Sequence, residues 1–319
     1  MNPKTFRVST LESLHLRIFT IGYCKEGESI LGILCDGEKN LYSFVVDSYS
    51  YTDSNYNHVS QLLQKENIQQ IDAFIWTHPD EDHSKGICEL LEQYDKEHSA
   101  SIFIPATLNA YMPICEDARK GLEHIMNCYN NNRIYNLKAV GLTEHDYPRC
   151  LIHLDFYERR SNVKISCKFN FFLPYNTFLQ RRLGQKSFNP NDFSIFFSLE
   201  CNGFNYIFTG DLVDQCLKFI NFNSLLNVRF IKIPHHGSSE IKKFAFLISS
   251  TCCEKTTSTV TEKTNSGLPQ KDVLDEYKKF CKNIFQTSAS NNNCGCIETI
   301  FNISNPTPIV KSTGNVIKH

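Results

Sequence analysis

The chain has 319 residues, 41% of them hydrophobic, enough to bury a sizeable core in one large domain or two modest ones. With 33 basic and 34 acidic side chains the formal charge is -1, which excludes a globally polyanion-binding surface and confines any nucleic-acid affinity to a local patch. Residues Met1 to Thr10 carry no apolar run, and nothing elsewhere approaches the ~18 uninterrupted apolar residues of a membrane span, so a soluble, cytoplasmic protein with no membrane partner is expected.

In chain order, short runs rich in β-branched and aromatic residues predict strands at Leu16 to Ile21, Ser29 to Cys35, Leu41 to Val46 and Ile71 to Trp76. His58 to Glu66 places Val59, Leu62 and Leu63 at helical spacing, and a second helix is expected over Ser84 to Gln93. From about 104 to 160 the pattern weakens to one helix near Glu116 to Tyr129 and the polar run Asn130-Asn131-Asn132, which reads as an insertion or cap. Strands return at Lys164 to Leu173, Ser194 to Glu200, Tyr206 to Phe208 and Arg229 to Ile233, the middle pair joined as a hairpin by Cys201-Asn202-Gly203. A helix at Lys271 to Phe280 and strands at Asn283 to Gln286 and Cys296 to Ile303 complete the series. Two successive β-rich halves, each with helices, predict an α/β chain of the α+β kind: one domain over residues 1–319, layered αββα. The 14 cysteines are scattered and form no CxxC knuckle, so reduced, mostly buried thiols are expected rather than a zinc ribbon.

The segment His78-Pro79-Asp80-Glu81-Asp82-His83 packs two imidazoles and three carboxylates directly after a strand. Carboxylates this close resist ionisation unless a cation neutralises them, and a divalent metal does so. His78 and Asp80 can face one ion while Asp82 and His83 turn toward another. The mixed nitrogen and oxygen set suits zinc first, with manganese or iron as alternatives. Against this stands a solvated acidic loop with incidental histidines. Two further clusters favour the metal: Thr209-Gly210-Asp211 and Pro234-His235-His236-Gly237-Ser238, each following an apolar strand.

The forms HxDxDH, TGDL and PHHGS resemble the metallo-β-lactamase superfamily, in the branch found in bacterial DNA-uptake competence channel proteins and phosphorylcholine esterases. Asn191-Asp192-Phe193-Ser194 is similar to the NDNS of these hydrolases, and Leu268-Pro269 also fits, so the resemblance spans roughly Ile30 to Ile303 outside the insertion. It implies the four-layer αββα sandwich and a two-ion centre in which His78 and Asp80 hold one ion, Asp82, His83 and His236 the other, and Asp211 bridges both. Asp47 would orient a ligand from behind. The wider superfamily has a histidine twenty positions before the bridging aspartate; here Asn191 stands there, a poorer ligand, and His145 or His153 could replace it only if the insertion folds over the site.

The resemblance implies a phosphodiesterase or nuclease acting on DNA or another phosphodiester through a hydroxide shared by two ions, with Asp82 and Asp211 as proton acceptors and His235 as proton donor. Lys85, Arg181, Arg182 and Lys186 are candidate phosphate-binding cations, equally readable as solvated loop charges. A role in antiviral defence is one expectation for such an enzyme. Alternatives are a hydrolase of a small cyclic-nucleotide or phosphorylated signal, a thioester, amide or lactone hydrolase on the same centre, and a non-enzymatic binding module. No protein partner can be read from the sequence.

Overall fold

A computed structural model describes residues 3–23, 26–51, 57–109, 112–129, 136–143, 148–161, 163–183, 189–288, 294–305 and 307–319. The chain opens with β1 (Lys4–Val8), the antiparallel run β2 (Leu14–Gly22), β3 (Glu28–Asp36) and β4 (Lys39–Val46), and then α1 (His58–Lys65). Next come β5 (Ala73–Ile75), α2 (Glu81–Ser84), α3 (Ile87–Tyr94), β6 (Ser101–Pro105), α4 (Glu116–Tyr129) and β7 (Leu137–Val140). The second half begins at β8 (Arg149–Glu158), β9 (Lys164–Leu173), α5 (Asn176–Leu183), β10 (Phe196–Cys201), β11 (Phe204–Phe208) and β12 (Val228–Lys232). It closes with α6 (Lys242–Ser249), β13 (Cys252–Thr261), α7 (Lys271–Lys278), β14 (Asn283–Thr287), β15 (Gly295–Asn302), β16 (Ile309–Gly314) and β17 (Val316–Lys318).

The strands form two sheets, ordered β16-β15-β2-β3-β4-β5-β6-β7 and β1-β8-β9-β10-β11-β12-β13-β14-β17. Alternation of side chains along each strand divides the apolar residues into three layers. Phe44, Ile75 and Phe103 point from the first sheet onto Phe169, Phe171, Phe197 and Phe208 of the second, and Phe103 stacks on Phe171 with centroids 5.2 Å apart. On the opposite face of the first sheet, Ile33, Phe74 and Ile102 pack with Leu63, Leu90 and Leu122 from α1, α3 and α4. Beyond the second sheet, Ile207, Ile231 and Val260 pack with Phe244 and Ile248 of α6 and Val273 of α7. The result is the four-layer αββα sandwich. The strands β4 to β7 are mutually parallel, as are β11 to β14, so loops at their carboxyl ends gather at one edge of each sheet.

Two expectations need correction, and one strand was not foreseen. Within 104–160 the described strands join the two sheets: β7 extends the first beside β6, and β8 pairs with both β1 and β9 in the second. The weak pattern arises because β7 is an edge strand with only Val140 buried. The helix expected from Ser84 is two, broken at Lys85 and Gly86. Among the cysteines, Cys167 and Cys201 are joined as a disulfide, because pairing of β9 with β10 places them opposite one another. The strand β13, central in its sheet, has no sequence counterpart: its buried half, Thr256 to Thr261, is almost all hydroxyl-bearing.

Candidate metal centre

Residue by residue, the site is assembled from strand ends. Asp47 follows β4 in a left-handed backbone conformation, φ 57°, which turns the chain out of the sheet. Its carboxylate is buried and fully engaged. Thr77 donates its backbone N–H to Oδ1 at 2.7 Å and its hydroxyl to Oδ2 at 2.6 Å, while His83 Nδ1 lies 2.7 Å from Oδ2. The single Thr77 hydroxyl proton is therefore spent on Asp47, so its oxygen accepts from His78 Nδ1 at 2.9 Å. Both imidazoles therefore hold a proton on Nδ1 and turn Nε2 toward the centre. Those two atoms, with Asp211 Oδ1, are buried and have no hydrogen-bond partner.

The loop between β5 and α3 is braced from behind. Trp76 Nε1 donates to Ser84 Oγ at 3.1 Å, Ser84 Oγ donates to the Asp80 carbonyl at 2.5 Å, and Ser48 N donates to the His83 carbonyl at 3.3 Å. Asp211 enters after β11 over Gly210, whose φ of +52° only glycine adopts freely and where a Cβ would meet Thr77 Cβ at 2.9 Å. His235 and His236 follow β12 and are both left-handed, φ 47° and 49°.

These side chains converge. His83 Nε2 lies 3.4 Å from Asp211 Oδ1 and 3.8 Å from Asp82 Oδ2; His236 Nε2 lies 3.2 Å from Asp82 Oδ2 and 3.8 Å from Asp211 Oδ2. On the other side, His78 Nε2 is 3.5 Å from Asp80 Oδ2 and 3.9 Å from Asp211 Oδ2. Donors each ~2.1 Å from one tetrahedral ion stand about 3.4 Å apart. The observed spacings, mostly too long for hydrogen bonds, match that requirement, and the unpartnered Nε2 and Oδ1 atoms supply the lone pairs. Asp82, His83 and His236 thus make one group able to hold a metal. Asp47, His78 and His83 also lie close together, but through Nδ1 atoms already hydrogen-bonded, so that grouping is the support behind the centre rather than a second one.

The electrostatics follow from the packing. Burial alone would raise Asp211, but His83, His236 and His235 outweigh it and hold the carboxyl well below its usual range. Asp82 is lowered in the same way by His83 and His236 against its burial. For His83 burial would lower the value, and Asp211, Asp82 and Asp47 together raise it.

The remaining sequence candidates are placed as follows. His235 sits at the rim, its side chain 17% exposed, with Nε2 4.0 Å from Asp211 Oδ2; Asp80, 33% exposed, forms the other open side. Asn191, in a short turn over Pro190–Phe193, reaches the site through His235, Nδ2 to Nε2 at 3.4 Å, and its buried Oδ1 has no hydrogen-bond partner. Lys85 lies 3.6 Å from Glu81 and over the Tyr49 ring. Arg181 and Arg182 belong to α5, while Lys186 and His145 lie outside the described residues. His153 pairs with Asp155 at 3.2 Å on β8 and does not complete the site. From 104–160 the start of α4 touches the site loop, Cys115 Sγ to the Pro79 carbonyl at 3.7 Å.

Sequence reasoning missed four residues. Lys263, just beyond β13, places Nζ 2.6 Å from Asp82 Oδ2. Glu28, Lys232 and Thr261 lie behind His236. The lysine in Ile231-Lys232-Ile233 was the available signal, since a charge between buried isoleucines on a strand demands a partner.

No protein-family model and no curated protein sequence matches the chain. Solved structures similar to it include the subclass B3 metallo-β-lactamase MEM-A1 from a soil metagenome library, at 11% identity and TM-score 0.33 over 75% of each chain. A diphosphatase of the PhnP family matches over 80% of this chain and 92% of its own, at 12% identity and TM-score 0.34. The Rm3 metallo-β-lactamase matches over 82% and 87%, at 7% identity and TM-score 0.34.

Proposed function

We propose that the protein is a metal-dependent hydrolase that cleaves phosphodiesters, with DNA as the first polymer to test. The observation that carries the reading is that His78 Nε2, His83 Nε2 and Asp211 Oδ1 are buried without hydrogen-bond partners and lie together at coordination spacings. His78, Asp80 and Asp211 would hold one ion, with the Asn191 amide oxygen a weak fourth donor; Asp82, His83, His236 and Asp211 would hold the other. Zinc suits this donor set best. Such ions, when bound, activate water and stabilise charge on a phosphoryl oxygen.

The chain's own groups do the rest. Asp47 and Thr77 lock His78 and His83 in the tautomer that faces the centre. Asp211 accepts the proton of the attacking water, and His235, on the open rim, protonates the leaving oxygen. A phosphodiester is favoured by the HxDxDH, TGDL and PHHGS forms and by Lys263, a partly exposed cation beside Asp82 suited to a phosphoryl oxygen.

The test is direct. Purified protein is analysed for metal and assayed on bis-p-nitrophenyl phosphate, single- and double-stranded DNA, RNA and cyclic nucleotides. Turnover of the chromogenic diester is expected and is lost in His83→Ala and Asp211→Ala. Turnover that survives both substitutions removes the mechanism; cyclic-nucleotide turnover without DNA cleavage replaces the polymer substrate with a small signal.

A further inference from the structure

We infer that Glu28, Lys232 and Thr261 form a positioning relay that fixes which nitrogen of His236 faces the centre, and so sets the affinity of that side for a divalent cation. The inference rests on the metal centre proposed above. Glu28 opens β3 in one sheet, while Lys232 and Thr261 end β12 and β13 in the other, and all three are fully buried. Lys232 Nζ lies 2.6 Å from Glu28 Oε2 and donates to the Ile233 carbonyl at 3.0 Å. An ion pair in an apolar interior recovers less than it costs in lost hydration, and a hydrophobic pair of the same size would be equally or more stable. Packing alone therefore does not account for it.

Proton counting assigns its role. Glu28 is paired as a carboxylate with the Lys232 ammonium, 2.6 Å away in a site where both side chains are buried. A carboxylate only accepts, so the hydroxyl of Thr261, in contact with Glu28 Oε2, donates to it. The same hydroxyl oxygen lies 2.9 Å from His236 Nδ1 and can then only accept, which places the imidazole proton on Nδ1. The Thr261 carbonyl, 3.3 Å from Nδ1, requires the same proton. His236 Nε2 is thereby the ring nitrogen turned to the centre, 3.2 Å from Asp82 Oδ2 and 3.8 Å from Asp211 Oδ2, and the one that would coordinate a bound cation.

The pattern occurs twice. Asp47, Thr77 and His78 repeat it as carboxylate, threonine hydroxyl and imidazole on the opposite side. In both cases the threonine follows or ends a parallel strand, and the carboxylate comes from a different part of the chain.

The experiment measures zinc affinity by competition with a chromophoric chelator, in the full chain, for the wild type, Thr261→Val, Thr261→Ser and Glu28→Gln. Thr261→Val keeps the Lys232–Glu28 pair and side-chain shape. It is expected to lose about tenfold in affinity, the low end of the range for such outer groups because the carbonyl remains. Thr261→Ser restores the wild-type value. In a His236→Ala background Thr261→Val has no further effect, which a general packing role would not produce. Glu28→Gln loses at least as much as Thr261→Val if it folds. Wild-type affinity in Thr261→Val, or an equal loss in the His236→Ala background, overturns the relay. A wild type that binds no zinc overturns the metal centre and the relay together, and that result is visible before any variant is made.

Discussion

Asp47 shows how one side chain can set the behaviour of two others. It accepts from Thr77 and His83 and, through Thr77, governs His78, so Asp47→Asn disturbs both halves of the centre at once. Zinc affinity in that variant is expected to fall by about 10- to 100-fold with the fold intact by circular dichroism. Lys263 acts in the opposite sense. Its ammonium occupies Asp82 Oδ2, which an incoming cation needs, so Lys263→Met is expected to tighten zinc binding by about tenfold, the equivalent of one charge-assisted hydrogen bond. Calorimetric titration reads this directly, and unchanged or weaker binding in Lys263→Met would remove the competition. The proposed ligands were legible in the sequence because His78 to His83 concentrates two imidazoles and three carboxylates in six positions. Lys263, Glu28 and Thr261 were not, since each earns its role from a neighbour on another strand: Thr261 and Glu28 are 233 positions apart.

At the level of elements, strands with alternating apolar residues were readable, and β2, β3, β4 and β9 lie where the pattern puts them. The threonine-rich β13 was not, because its buried run carries hydroxyls instead of apolar side chains, and some of their partners lie far along the chain, such as Thr20 for Thr259 across the two sheets at 2.9 Å. Between α2 and α3 the chain passes close to the turn after β4 at Gly86. A Cβ on Gly86 would meet Ser48 Oγ at 2.7 Å, Asn57 Nδ2 at 2.8 Å and the Tyr49 carbonyl carbon at 2.9 Å. The loop carrying His83 is thereby pressed against the turn after Asp47. Gly86→Ala is expected to destabilise the fold by about 1–3 kcal/mol in urea unfolding and to weaken metal binding at the same time. Loss of stability without loss of affinity would show that this contact does not position the site.

Across the whole molecule, the centre joins both sheets, Asp47 to His83 from one and Asp211 to Lys263 from the other. Bound metal should therefore stabilise the entire sandwich. Zinc at a hundredfold excess over its Kd is expected to add about 2.7 kcal/mol, seen as a rise in Tm that chelation reverses. In the metal-free protein the depressed Asp82 and Asp211 contribute stability that is present above the unfolded carboxylate value of about 4 and lost as pH falls below it. His83 works the other way: raised by its carboxylate neighbours, it contributes below about pH 6.5 and loses that contribution as pH rises through its folded value. Thermal unfolding of the chelated protein should thus decline steeply below about pH 4, and a flat profile there would contradict the assigned charges. Among the described residues no helix is long and apolar enough to cross a membrane.

The last strands have a consequence for solubility. β16 borders the first sheet beside β15, and after Gly314, at φ +71°, β17 borders the second beside β14. One short tail thus seals the margins of two β-layers, like a hem stitched through both plies of a cloth. Deleting residues 309–319 would bare two rows of unsatisfied backbone groups at once, each a template for another copy of the chain. Such a truncation is expected to elute from gel filtration as oligomers, with its imidazoles and carboxylates otherwise untouched.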